Sequence, residues 1–299
     1  MKVAIAQITS IPNPERNLRL CRTIIQKAAA QGAELVAFPE SSDVIFGPGC
    51  ESEDERKELK RTKAFIDGMG LAAKENGVWV VFGCHMPVLK VKSRDGETWH
   101  FGITICYDIR YPQLFSYLRA RGAEAYIVST AWFPTTRRHW DPLLTARAID
   151  NQAYMIAPCQ AGKHHEERES LGASAVVDPW GDKVVRLPSI ADRKDGQKKN
   201  GKQVPMSNGR TKSPNAPTSE TATDYAHNGD GGKTLHAPSG DVELGSDGSW
   251  EDLGEEDDGG EGCAIGYAIL RKDKVEDLRK MVPIWDNLRT ELYGKPEGR

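Results

Sequence analysis

The chain has 299 residues, and its 40 basic and 43 acidic residues leave a formal net charge of −3. This near balance gives no signature of nucleic-acid or membrane binding. No apolar run approaches the roughly 20 residues of a membrane-spanning helix, and the start of the chain does not resemble a cleavable signal peptide. We therefore expect a cytoplasmic protein. Its six cysteines are scattered and have no metal-ligand spacing, which favours reduced thiols over disulfides or a zinc site.

The first part of the chain alternates apolar runs with amphipathic stretches. Strands are predicted over 3–8, 35–40, 78–84 and 100–106, and helices over 17–31, 51–76 and 112–121. Gly32, Gly77 and Gly122 follow the three helical stretches and act as stop signals. Pro112 suits a first helical turn, where its missing N–H leaves no hydrogen bond unmade.

The same alternation continues further along the chain. Strands are predicted over 125–130 and 153–162, with a helix over 140–152 between them. Two more strands are predicted within 173–187, joined by a turn at "DPWG" (178–181). A final strand over 263–270 precedes a helix over 273–281. The pattern predicts an α/β sheet covered by helices. His164, His165 and the charged residues after them look like a solvated loop.

Residues 188–262 differ from the rest of the chain. They are rich in Gly, Ser, Pro, Asn and charged residues and have almost no apolar clusters. Such a segment buries too little apolar surface to offset its ordering entropy, so we expect it to be disordered. Because strand and helix patterns resume after it, the segment is predicted to interrupt one domain formed by 1–187 and 263–299.

Two apolar strands end in side chains capable of chemistry. Glu40 follows "LVAFP", and Cys106 follows "GITI". In open α/β sheets, ligands collect at the carboxyl ends of strands, so both groups are expected to face one crevice. A helix start after Cys106 would lower the pKa of its thiol, a carboxylate would act as general base, and the Tyr107 N–H would bind an oxyanion.

Each of these residues also has a simpler interpretation. A single cysteine at a strand end is usually packed in the core, and a strand-end glutamate is usually solvated or ion-paired. Trp132, after the strand at 125–130, fits a substrate pocket or a packed aromatic equally well. Spacing alone does not decide between these possibilities.

Four stretches decide it by resemblance: "AFPE" (37–40), "ICYDIRYP" (105–112), "HWDPLLTARAIDNQAYMIAPCQAG" (139–162) and "VVDPWGDKVV" (176–185). Together and in this order they resemble the nitrilase, or carbon–nitrogen hydrolase, superfamily, and in particular its nitrilase-like amidase branch. The resemblance implies a four-layer α-β-β-α sandwich, a homodimer, a Glu–Lys–Cys triad and no metal or organic cofactor. It also implies that His139, Trp140 and Arg147 hold the structure around the site.

The same resemblance assigns roles to single residues. Glu40 matches the general base and Cys106 the nucleophile, while Tyr107 and Trp132 are expected to contact substrate. The implied reaction is hydrolysis of a small carboxylated amide, similar to deaminated glutathione, through a cysteine thioester. No nucleic acid or membrane partner is expected.

The chain departs from the family pattern in two places. The interval between "VWVVFGC" and the Cys106 motif is several tens of residues too short and lacks the family's lysine motif; it contains only Lys90 and Lys92. The missing stretch would also carry strands, so the sheet is expected to be incomplete or exposed at an edge. In addition, Ala173 stands in "LGAS" where this branch usually has histidine.

Three interpretations follow from the short interval. Lys90 or Lys92 replaces the missing lysine in a working amidase, or the chain is a non-catalytic relative that binds a partner or ligand. Alternatively, a lost exon before Gly102 and a translated intron at 188–262 leave an impaired product of an ordinary enzyme gene. A nitrilase or carbamoylase activity also stays open, because the residues do not identify the substrate.

Overall fold

The computed structural model of the protein describes residues 1–46, 55–83, 86–196, 248–253 and 262–289. Side chains are described throughout these ranges except at 55–59, 86–87 and 194–196. The strands are β1 (Lys2–Gln7), β2 (Leu35–Ala37), β3 (Trp79–Val81), β4 (Met86–Lys92), β5 (Thr98–Ile105), β6 (Ala125–Ser129), β7 (Tyr154–Ala157), β8 (Ala161–His165), β9 (Arg168–Leu171), β10 (Ala175–Val177), β11 (Lys183–Arg186), β12 (Gly248–Asp252) and β13 (Ala264–Ile269). The helices are α1 (Pro14–Ala30), α2 (Glu55–Asn76), α3 (Pro112–Ala120), α4 (Arg137–Asn151), α5 (Ile190–Gly196) and α6 (Lys272–Met281).

The strands form two large mixed sheets and one hairpin. The first sheet has the order β12-β13-β1-β2-β3, and the second has the order β11-β10-β7-β6-β5-β4. Strands β1, β2 and β3 are parallel to one another, as are β5, β6 and β7. The carboxyl ends of the parallel strands in each sheet therefore lie along one edge of that sheet, which is where ligand sites form in α/β folds.

Three apolar layers stack these elements. The layer between the sheets contains Ile5 and Leu35 from the first sheet and Phe101, Ile127 and Ile156 from the second. The outer layer of the first sheet is filled by side chains of α1 and α2. The outer layer of the second sheet is filled by side chains of α3 and α4. This arrangement confirms the predicted four-layer α-β-β-α sandwich.

Helix α1 shows how the local sequence produces these layers. Asn13 caps the helix, since its side chain accepts a hydrogen bond from the Arg16 N–H, and Pro14 occupies the first turn. Apolar residues at helical spacing then place Leu20, Ile24 and their neighbours on one face, which is fully buried against the first sheet.

The structure differs from the sequence-based expectations at three places. Strand β4, which was not predicted, pairs antiparallel with β5 and forms the edge of the second sheet. The residues expected to form a solvated loop after His164 form the hairpin of β8 and β9, and His164 is buried. Helix α5 and strand β12 lie within the segment predicted as a disordered insertion, and β12 pairs with β13. Residues 197–247 of that segment lie outside the described residues.

No helix in the part of the chain that the structure describes is both long enough and apolar enough to span a bilayer.

Candidate active site

Loops that follow strands of both sheets meet at one point. Strand β2 of the first sheet leads through Pro39 into Glu40, and β5 of the second sheet leads directly into Cys106. Ala131 follows β6, and Cys159 follows β7. Glu40, Ala131 and Cys159 all interact with the Cys106 thiol. The two strand-end groups predicted to share a crevice are therefore brought together by the fold.

The Ala131 backbone links the carboxylate to the thiol. Its N–H donates to Glu40 Oε2 over 3.1 Å and also bonds the sulfur of Cys106. The Glu40 side chain interacts with the Cys106 thiol as well. A carboxylate beside a thiol is the arrangement that a nucleophile and its general base require.

The electrostatics of this contact keep the thiol protonated. Burial is the largest cause that raises the pKa of Cys106, and the negative charge of Glu40 adds to it, so that the pKa reaches about 12. The Ala131 N–H opposes this rise. The expectation of a lowered thiol pKa is therefore wrong: a short 3₁₀ turn, Cys106–Arg110, separates Cys106 from α3, and the carboxylate faces the sulfur.

The backbone of Cys106 is strained. Its φ is +38°, in the left-handed region that side chains other than glycine rarely adopt, and such strain often marks functional sites. Two side chains hold the 3₁₀ turn in place. Asp108 Oδ2 accepts from the Ile105 N–H over 2.9 Å, and Arg147 Nε donates to the Ile109 carbonyl over 3.1 Å. Arg147 thus has the structural role that the family resemblance implied.

Gln160 fixes the Glu40 loop from the opposite side. Its buried side-chain amide donates to the Glu40 carbonyl over 2.9 Å and to the Ser41 carbonyl over 3.2 Å. The same side chain forms two hydrogen bonds with Ser10: its Oε1 accepts from the Ser10 N–H, and its Nε2 donates to the Ser10 hydroxyl. Sequence reasoning missed Gln160, since a single glutamine after a strand gives no signal of the residues it contacts.

The aromatic residues expected to bind substrate lie on either side of Arg110. The Arg110 guanidinium lies 5.1 Å from the ring centroid of Tyr107 and 4.7 Å from that of Trp132. The Tyr107 side chain is 62% exposed, whereas Trp132 is 3% exposed and packs against Trp140 with ring centroids 5.1 Å apart. The structure thus shows Trp132 as a packed aromatic, and substrate contact by either residue stays a prediction.

The two candidate replacement lysines lie far from the thiol. Lys90 and Lys92 are exposed on β4, where they pair with His100 and Thr98 of β5. His100 precedes Cys106 by six residues along an extended strand, which corresponds to about 20 Å. Neither lysine is therefore placed to interact with the Cys106 sulfur.

A cation that the sequence analysis missed does lie at the site. Arg168, on β9, interacts electrostatically with Cys106, Cys159 and Glu40, and these interactions favour its charged form. Its Nη2 donates to the Ala131 carbonyl over 2.5 Å. Arg168 was missed because the charged run around it looked like a solvated loop.

The described side chains do not form the ligand sets that metal ions need. Among the residues that the structure describes, no group of three or more His, Cys, Asp or Glu side chains is placed to hold a metal ion.

Comparison with known proteins agrees with this geometry. The family model described as Carbon-nitrogen hydrolase matches residues 2–94 and 84–191. The chain belongs to the carbon–nitrogen hydrolase family. This family, part of the nitrilase superfamily, has a cysteine nucleophile.

Relatives in this family include proteins named deaminated glutathione amidase. The one from Dictyostelium discoideum is 30% identical over 242 residues, covering 62% of this chain and 83% of the relative. The one from Mus musculus is 31% identical over 241 residues, covering 62% and 73%. Since 62% of 299 residues is fewer than 242, these alignments contain gaps on the side of this chain. Such gaps, and the division of the family match at 84–94, agree with the short interval before Cys106.

Solved structures support the fold. The crystal structure of the C. elegans NitFhit protein matches with a TM-score of 0.62 at 20% identity, covering 98% of this chain and 66% of that one. An amidase from Nesterenkonia sp. AN1, in a mutant form with acrylamide added at its active-site cysteine, matches with a TM-score of 0.54 at 20% identity. That match covers 62% of this chain and 89% of the amidase.

Proposed function

We propose that this carbon–nitrogen hydrolase cleaves the amide bond of a small carboxylated substrate, with Cys106 as nucleophile and Glu40 as general base. The observation that carries the proposal is that the fold brings the Glu40 carboxylate, held by the Ala131 N–H, into interaction with the Cys106 thiol. A thiol whose pKa is raised to about 12 is a poor nucleophile until a base removes its proton, and Glu40 is in position to do so.

The reaction proceeds in two halves. As the sulfur bonds to the amide carbon, Glu40 takes the thiol proton and passes it to the departing nitrogen, so that the C–N bond breaks and ammonia or an amine leaves. Glu40 then takes a proton from water as the water oxygen attacks the thioester. The C–S bond breaks, the sulfur regains its proton and a carboxylic acid is released. The Tyr107 N–H, at the start of the 3₁₀ turn, is expected to stabilise the oxyanion in both halves.

The substrate class rests on the relatives. Proteins about 30% identical to this chain are named deaminated glutathione amidase, and a mutant of the Nesterenkonia amidase was crystallised in complex with butyramide. We therefore propose deaminated glutathione as the first substrate to test and butyramide as a minimal amide. Activity as a homodimer, also implied by the family resemblance, is tested by the molar mass of the purified chain in solution.

A second candidate function is ligand binding without turnover. It is favoured by the position of Lys90 and Lys92 on β4, remote from the thiol, and by the divided family match. In this case the site keeps its hydrogen bonds and binds the amide, but the chain does not hydrolyse it at a measurable rate.

Release of ammonia from butyramide, and of an amine from deaminated glutathione, separates the two candidates. We expect turnover with the native chain, none with Cys106→Ala, and native turnover with Cys21→Ala, which removes a buried thiol on α1 remote from the crevice. A native chain that is thermally stabilised by deaminated glutathione but releases no product would support the binding function. Turnover that survives in Cys106→Ala would contradict the proposed mechanism.

A further inference from the structure

The proposed reaction generates negative charge that Glu40 and Cys106 themselves do not offset. Both groups in direct contact, the Glu40 carboxylate and the Cys106 thiol, are acidic, and the charge of Glu40 raises the pKa of the thiol. Attack places additional negative charge on the substrate oxygen. A fixed positive charge beside this pair would lower the barrier, and the two lysines on β4, about 20 Å away, are too distant to supply it.

Arg168 is held in place beside the loop that follows β6, which also carries Ala131. The N–H of Leu171, in the same strand, donates to the Trp132 carbonyl over 2.8 Å and holds β9 against the loop that follows β6. From β9, Arg168 Nη2 donates to the Ala131 carbonyl over 2.5 Å, and Nη1 donates to the Glu169 carbonyl over 2.9 Å. The guanidinium also lies over the Phe133 ring, 3.6 Å from its centroid.

The charge of Arg168 is directed at the reacting groups. Burial lowers the pKa of Arg168, while Cys106, Cys159 and Glu40 each act in the opposite direction and favour the cation. A guanidinium stays protonated at neutral pH because its ordinary pKa is above 12.

Resting on the proposed function, we infer that Arg168 is a positioning residue that also supplies the positive charge of this active site. It holds Ala131 by its carbonyl oxygen, while the N–H of Ala131 contacts both the Glu40 carboxylate and the Cys106 sulfur. One side chain thereby fixes the backbone group shared by nucleophile and base, and stabilises the thiolate and oxyanion as they form.

Other charged and titratable groups around Cys106 do not duplicate this role. Glu40, after β2, is an anion, and Cys159, after β7, is a buried thiol whose own pKa is raised to about 11, chiefly by burial. Within the 3₁₀ turn, the Asp108 carboxylate bonds the Ile105 N–H, and the Arg110 guanidinium lies over Trp132. Arg168 approaches from a different element, the hairpin of β8 and β9.

The test compares Arg168→Gln, Arg168→Lys and Lys163→Gln. Lys163 is exposed on the same hairpin, so Lys163→Gln removes one positive charge without touching the crevice. Two quantities are measured on the full chain: the pH profile of Cys106 alkylation by iodoacetamide, resolved by mass spectrometry, and kcat and KM for butyramide. Thermal unfolding checks that each variant is folded.

We expect Arg168→Gln to shift the alkylation profile upward by about one pH unit or more, because a cation near the thiolate is lost. We also expect kcat to fall about 100-fold with a smaller change in KM, as for the loss of one oxyanion stabiliser. Arg168→Lys should restore most of the alkylation profile, since it restores the charge, and Lys163→Gln should behave as the native chain does.

Two results would overturn the inference. One is a folded Arg168→Gln variant whose alkylation profile matches that of the native chain. The other is an Arg168→Lys variant that remains as strongly shifted as Arg168→Gln, which would show that the charge is not what matters. The alkylation profile does not depend on turnover. If the native chain hydrolyses no amide, the proposed function fails, while the effect of Arg168 on the thiol is still measured.

Discussion

Replacing Glu40 by glutamine should change the reactivity of Cys106 in two opposite directions. The substitution keeps the size of the side chain and an oxygen that accepts from the Ala131 N–H, 3.1 Å away in the native chain. It removes the negative charge beside the thiol and the base that takes the thiol proton. The thiol should therefore become more acidic, while amide turnover should be lost.

The structure sets the size of both effects. With a pKa of about 12, only about one Cys106 thiol in ten thousand is ionised at pH 8. Burial, the largest cause of the raised pKa, persists in the variant, but the contribution of Glu40 disappears. A charge in contact is worth about one pKa unit or more, so thiolate and alkylation at pH 8 should increase about tenfold. Loss of the general base should lower kcat by about 10² to 10⁴.

The assay measures alkylation of Cys106 by iodoacetamide from pH 7 to 11 together with product release from the amide substrates. Glu97→Gln is the matched control, since Glu97 is exposed in the turn between β4 and β5 and should leave both quantities unchanged. An unshifted alkylation profile in Glu40→Gln would refute the contact between carboxylate and thiol. Retained turnover would refute the role of Glu40 as base.

Two further residues give predictions for stability. Gln160→Leu leaves the Ser10 N–H and the Glu40 and Ser41 carbonyls without their hydrogen-bond partner. We therefore expect the free energy of unfolding, measured in urea, to fall by about 1–3 kcal/mol and kcat to fall as well. The control Gln113→Ala, at an exposed position, should change neither quantity. The pKa of His164 is lowered to about 4, chiefly by burial, so between pH 6.5 and 4 the unfolded chain binds a proton that the native chain does not. The free energy of unfolding should therefore fall by about 2 kcal/mol from pH 7 to pH 5. This fall should be smaller in His164→Gln and unchanged in the control His165→Gln. A native chain without this pH dependence would contradict the burial of a neutral His164.

The proximity of Glu40 and Cys106, the proposed base and nucleophile, could be predicted from sequence because the signals of both residues are local. Apolar runs that end abruptly at Glu40 and Cys106 mark strand ends, and parallel strands bring such ends to the same edge of a sheet. The resemblance of the surrounding motifs then identified which strand-end residues carry chemistry. The contact between thiol and carboxylate follows from these two facts alone.

Elements that depend on distant partners could not be predicted in the same way. Strand β12 lies in a polar stretch, and its extended conformation comes from pairing with β13, with Trp250 opposite Gly266. Strand β9 is similar, since Arg168 becomes part of the site only because Leu171 bonds the loop after β6. The raised pKa of Cys106 was also missed, because it depends on burial and on Glu40, which is 66 positions away in the chain.

The position of the site explains why a short interval between β3 and β5 leaves Glu40 and Cys106 close together. The loop that carries Glu40 is tied to the second sheet directly, by the Ser129 hydroxyl donating to the Phe38 carbonyl over 2.9 Å and by the Gln160 amide. These hydrogen bonds join β2, β6 and the loop after β7, and none of them involves the segment between β3 and β5. A shortened segment there lacks the lysine that the family resemblance implies, but it leaves the scaffold of the site in place. Under the proposed function, turnover of an amide should therefore depend on how much positive charge Arg168 supplies.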